Sequence, residues 1–62
     1  MKYSELKRLL KQYGCYKYDE GGNHEKWLSP INNKIFTVGR HDSEDVPKGT
    51  FNSILKQAGI KE

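Results

Sequence analysis

Cysteine occurs once in this chain of 62 residues, so no disulfide can form within it. That excludes the disulfide-stapled small domains and points to a reducing compartment. Apolar residues are also scarce, at 34% against the ~45–50% of an average globular chain. No apolar run approaches the ~20 residues of a membrane span, so no membrane association is expected. The opening Met-Lys-Tyr-Ser-Glu-Leu-Lys-Arg-Leu-Leu has neither the apolar stretch nor the small-residue cleavage site of a secretory signal, and the cytoplasm is the expected location. The sequence has no P-loop and no dinucleotide-binding glycine motif. Cys15, His24 and His41 lack the paired spacing of a zinc site, so neither a metal nor a cofactor is expected. The length itself leaves no room for a separate cofactor domain and predicts one domain over residues 1–62 with a small core.

What is present favours a folded, polar domain. Charged residues make up 31% and aromatics 11%, and the formal net charge is only +3, which is not the composition of a disordered chain. The charge is uneven. Lys2, Lys7, Arg8 and Lys11 face Glu5 alone within residues 1–13, and the remainder balances to zero. A cationic stripe suits a polyanionic partner, although a solvated helix face gives the same pattern.

Two helical patterns flank an extended middle. The first is predicted over Ser4–Tyr13, with Ser4 as N-cap and Glu5 at the positive end of the helix dipole. Leu6, Leu9, Leu10 and Tyr13 recur at helical spacing, Lys7, Arg8 and Lys11 fall on the other side, and Gly14 suits the position just past the end. The last helix is predicted over Lys48–Ala58, opened by Pro47 and ended by Gly59, with Phe51, Ile54, Leu55 and Ala58 as its buried stripe and Ile60 folding back over its end. Gly49 in its first turn costs ~1 kcal/mol against alanine, which suggests a need for close backbone approach. Between them lie strand-like runs at Cys15–Glu20, His24–Leu28 and Lys34–Val38, the first two joined by Gly21-Gly22-Asn23. The order predicts an α+β domain, α-β-β-β-α, with a three-stranded antiparallel sheet and both helices on one face.

Alternation places Trp27, Phe36 and Val38 toward the helices. His24, Lys26, Leu28, Ile35 and Thr37 then project from the opposite face. In the first strand the pairs Tyr16/Tyr18 and Cys15/Lys17 compete for the buried side. Cys15 reads as a small core residue. His24, directly after a glycine turn, has little steric cover and can act as general acid or base without a metal. On RNA, a base that takes the 2′-hydroxyl proton starts attack on the adjacent phosphate. The residues alone favour a hairpin that simply carries a surface histidine. In Gly39-Arg40-His41-Asp42, Arg40 suits a phosphate and His41 is a second candidate acid–base group, within a loop whose carboxylates also simply solvate it.

Gly-Gly-Asn-His at 21–24, Gly-Arg-His at 39–41 and Lys-Gly-Thr-x-x-Ser-Ile-Leu-Lys-Gln-Ala-Gly at 48–59 together resemble the HicA toxins, small mRNA interferases of type II toxin–antitoxin systems. Ser4-Glu5-Leu6-x-x-Leu9-Leu10 and Gly14 fit as well, so the resemblance covers almost the whole chain. It implies a fold like a double-stranded RNA-binding domain, metal-independent cleavage of mRNA, and a HicB antitoxin that covers the active surface. It matches the catalytic histidine to His24 and the preceding glycine to Gly22. Many members carry serine before that histidine and an aromatic after the first glycine, where this chain has Asn23 and Cys15. Lys7, Lys11, Lys26, Arg40 and Lys48 are the candidate phosphate contacts, while His41, Lys26 and water remain as proton donors. A non-catalytic double-stranded RNA-binding module is the alternative, and a protein that only docks with another chain is a third.

Overall fold

The computed structural model describes residues 1–22 and 24–61; Asn23, assigned to the hairpin turn from sequence, lies outside them. The chain runs α1 (Tyr3–Gln12), β1 (Tyr16–Glu20), β2 (His24–Ser29), β3 (Lys34–Gly39) and α2 (Lys48–Ala58). This is the α-β-β-β-α order expected from the periodicities.

The first helix departs from expectation at both ends. Lys2, not Ser4, is its N-cap, and the backbone N–H of Lys2 donates to the Glu5 carboxylate at 2.9 Å. The reason lies far along the chain. The N–H groups of Tyr3 and Ser4 donate to the carbonyls of Glu44 and Asp42, so distant backbone satisfies amides that a serine cap would otherwise serve. At the other end Tyr13 is the C-cap and is 39% exposed, so it leaves the apolar stripe. Gly14 follows at φ +88°, and Cys15 N–H donates back to Leu10 O. The second helix closes the same way, with Gly59 at φ +76° and Ile60 N–H donating to Leu55 O.

The sheet has the order β1-β2-β3, antiparallel throughout. Trp27 pairs with Phe36 and Glu25 with Val38 on one face; His24 pairs with Gly39, Lys26 with Thr37 and Leu28 with Ile35 on the other. Both helices pack on the first face. Leu6 and Leu10 of α1 and Ile54, Leu55 and Ala58 of α2 close over Trp27, Phe36 and Val38. Val46 and Ile60 complete the core, and Cys15 joins it from just before β1, not from within it. Leu9 and Phe51 pack against this cluster only partly buried. The rival faces of β1 resolve simply: every residue of this edge strand is exposed, and its pairing with β2 is irregular between Lys17 and Asp19. No helix among the described residues is long and apolar enough to cross a membrane.

Two polar devices lock these layers. Glu25, on the helix-facing side of β2, accepts the Trp27 indole N–H at 3.0 Å and an ion pair from Lys7 at 3.1 Å. Lys7 also donates to Asp42, and that hydrogen bond, followed by the charge itself, holds the Asp42 carboxyl below its ordinary value. The second device is Ser29, buried at the far end of β2. Its hydroxyl donates to Ala58 O at 2.6 Å and accepts from Ile31 N–H, while the Asn32 amide donates to Gln57 O. These bonds receive the end of α2 on the β2–β3 turn. Ser29→Ala leaves the Ala58 carbonyl without its buried donor, so unfolding free energy should fall by about 2 kcal/mol in urea denaturation. An unchanged midpoint would mean that this contact contributes nothing.

Candidate active site

His24 opens β2, exposed, on the face opposite Trp27. Two bonds define the turn before it. Gly21 N–H donates to His24 O at 3.1 Å, and the Arg40 guanidinium donates to Gly22 O at 2.8 Å. Arg40 follows β3, so its side chain spans from the end of that strand to the β1–β2 turn. The structure therefore gives Arg40 a definite task as a clamp on the glycine turn, beside the phosphate role read from sequence. A side chain at Gly22 would meet nothing within 4 Å, so packing does not demand glycine there. Beside the turn, Glu20 accepts from Lys17 at 2.8 Å; this bond first, then the charges of Lys17 and Arg40, hold its carboxyl below the ordinary range.

A cleft of about 290 Å³ opens at His24 along the free edge of β3. Its sheet side is made by His24, Thr37 and Gly39. Its helix side is made by Gly49, Thr50, Ser53, Ile54 and Gln57 of α2, and the ring of Tyr3 closes one end. Apart from His24, no residue of this lining carries an ionisable acid or base of the Lys, Arg, Asp or Glu kind. Two cations stand near it on the sheet: Lys26 is exposed and pairs with Thr37, and Arg40 follows Gly39. Lys48, next to Gly49 in sequence, lines a separate hollow with Met1, Val46 and Phe51. A neutral cleft with cations nearby suits a ligand whose neutral part is enclosed and whose anionic part stays outside.

Not every candidate from sequence reaches this place. Lys7 is held between Glu25 and Asp42 with its side chain only 11% exposed, so it is committed to the fold. Lys11 is exposed on α1, near enough to Asp42 to lower that carboxyl slightly, and is not part of the cleft wall. His41 is exposed between β3 and α2, also outside the cleft wall. No group of three His, Cys, Asp or Glu side chains among the described residues is arranged to hold a metal ion. Conversely, sequence reasoning passed over Tyr3, Thr37, Thr50, Ser53 and Gln57. The helical trio at 50, 53 and 57 looks like any solvated face, and only the position of β3 shows what it confronts.

Gly49 illustrates the difference between fold and site. A Cβ there would meet nothing within 4 Å, so glycine serves neither packing nor an unusual backbone angle. Gly49→Ala should therefore raise unfolding free energy by up to about 1 kcal/mol, through helix propensity alone. A fall in stability would show a contact that the geometry does not contain.

The family model for the HicA toxin of bacterial toxin–antitoxin systems matches residues 3–60. The "Probable mRNA interferase HicA 2" of Photorhabdus laumondii is 43% identical over 61 residues, spanning 98% of this chain and 100% of that protein. The "Probable mRNA interferase HicA" of Pseudomonas fluorescens is 36% identical over 62 residues, with both chains spanned in full. No solved structure matches the chain with significance. A match over nearly all of the sequence, covering the glycine turn, His24 and the whole of α2, places this chain in the HicA toxin family.

Proposed function

We propose that this chain is the toxin of a type II toxin–antitoxin pair, a metal-independent endoribonuclease that cuts mRNA and so arrests translation. Family membership and the names of the two relatives support the activity. The observation that carries the site is His24, an exposed imidazole lining a neutral cleft, with Lys26 and Arg40 nearby on the sheet.

The chemistry needs few groups because RNA supplies its own nucleophile. The His24 imidazole takes the proton of a ribose 2′-hydroxyl, and the 2′-oxygen attacks the adjacent phosphorus. The 5′-oxygen leaves with a proton, giving a 2′,3′-cyclic phosphate and a 5′-hydroxyl end. Lys26 stands on the same strand face as His24, two residues along β2, and is the donor we assign ahead of His41, which lies in the loop after β3. Phosphate charge is met by Lys26, Arg40 and Lys48, with Lys11 a more distant contributor, and Gly22 leaves open space for the backbone of the strand to approach. Lys7 contributes by holding the fold. The partner is a HicB-type antitoxin that covers this surface and so blocks RNA. The relatives' names as mRNA interferases favour cutting mRNA over simple duplex binding, the alternative function.

His24→Ala should lower cleavage of an RNA substrate at least ~100-fold with EDTA present, the lower bound for loss of a general base. Cleavage by the parent protein in EDTA is expected to continue. Equal activity of parent and variant would remove His24 from the chemistry, and loss of parental activity in EDTA would remove the metal-free mechanism.

A further inference from the structure

Tyr3 lies where no motif draws attention to it, yet it forms one end of the cleft that contains His24. Its position is built, not incidental. The backbone N–H of Tyr3 donates to Glu44 O at 3.0 Å, and Val46 N–H donates to Met1 O at 2.8 Å, so the N-terminal segment is tied to the 42–46 loop. The ring then lies against Gly39. A Cβ built on Gly39 would sit 3.0 Å from Tyr3 Cζ and 3.1 Å from Cε1, tight enough that the ring would have to shift by a few tenths of an ångström. Glycine at 39 is thus the seat of the ring, and Gly39 has no positive φ that would otherwise require it. Gly39 is also the cross-strand partner of His24. Directly paired residues carry their Cβ atoms about 5 Å apart. A ring that occupies the side-chain space of Gly39 is therefore a neighbour of His24 itself.

We infer that Tyr3 is a substrate-contacting residue, a stacking platform for the base of the nucleotide whose 2′-hydroxyl His24 deprotonates. The inference rests on the cleft being the RNA site and deepens that reading by naming what the cleft holds. An aromatic ring offers a face to any base, and stacking of this kind is tolerant of sequence. The opposite wall supplies Thr50, Ser53 and Gln57, neutral hydrogen-bonding groups suited to a base edge or ribose and not to a phosphate. Lys26 and Arg40, nearby on the sheet, are left for the phosphates on either side. Gly39 in this scheme acts through Tyr3, as a positioning residue.

The test uses equilibrium binding of fluorescently labelled RNA hexamers to the full chain carrying His24→Ala, which reads stacking apart from cleavage. In that background Tyr3→Leu, which keeps apolar bulk without a π face, should weaken binding about tenfold. Tyr3→Phe should recover most of what the leucine loses. Gly39→Ala should weaken binding in the same direction but by less, by shifting the ring, and should add little when combined with Tyr3→Leu. One abasic position in the hexamer should weaken binding to the parental background and have no further effect on the Tyr3→Leu protein. Circular dichroism checks that each variant is folded, and Gly39→Ala carries the test if the leucine variant is not. Binding by folded Tyr3→Leu as tight as its parent, an abasic effect that persists without the ring, or no measurable binding of any hexamer would each overturn the assignment. Failure of the parent protein to cut RNA would instead count against the proposed activity and leave these binding comparisons standing on their own.

Discussion

The Glu25 carboxylate is the point on which the rest of the structure depends. It sits on the core side of β2 with its side chain 13% exposed, and it satisfies two groups at once: the Trp27 indole N–H and the Lys7 ammonium. A half-buried carboxylate of this kind is stable only when paired and hydrogen-bonded. Here each partner belongs to a different layer. Trp27 is the largest side chain of the core, Lys7 brings α1, and Lys7 in turn draws in Asp42. The Asp42 and Glu44 carbonyls then receive the first amides of α1 and so set the height at which Tyr3 enters the cleft. A polar network on the buried face thus determines geometry at the cleft along β3.

The other wall of the cleft depends on the opposite end of the domain. Ser29 and Asn32 bind the final carbonyls of α2, and Gly59 lets the chain turn away while lying against Asn32. With its C-terminal end held on the β2–β3 turn, α2 presents Thr50, Ser53 and Gln57 along β3. The walls of the cleft and the packing of a small domain are therefore hard to separate. Stability for a chain of this length is about 3–9 kcal/mol in total. Removal of the Trp27 side chain alone costs ~3–5 kcal/mol, enough to unfold the protein without touching the site.

The element order, the stripes of both helices and the facing of Trp27, Phe36 and Val38 were legible because each follows from a local period or a local cap. Gly14 and Gly59 marked the helix ends for the same reason, since a left-handed residue there has a sequence signature. The start of α1 was misplaced because its amides are satisfied by carbonyls some forty residues away, which no local pattern records. Lys7 read as solvent-facing on a helical wheel, and only the fold reveals Glu25 beneath it. His24 was visible as a candidate because it follows a glycine turn with little steric cover, and the family resemblance supplied the role proposed for it. Tyr3 was not, since its meaning comes from Gly39 lying under its ring.

The central claim is that His24 works on a nucleophile that the RNA itself carries. It is tested most directly by replacing the ribose at a mapped cleavage site with a single 2′-deoxyribose and incubating that RNA with the purified protein. The account predicts that cleavage at this bond disappears while other bonds in the same molecule are still cut, leaving 2′,3′-cyclic phosphate ends. Undiminished cleavage at the deoxy position would show that water or a protein group attacks the phosphorus, and would contradict the account.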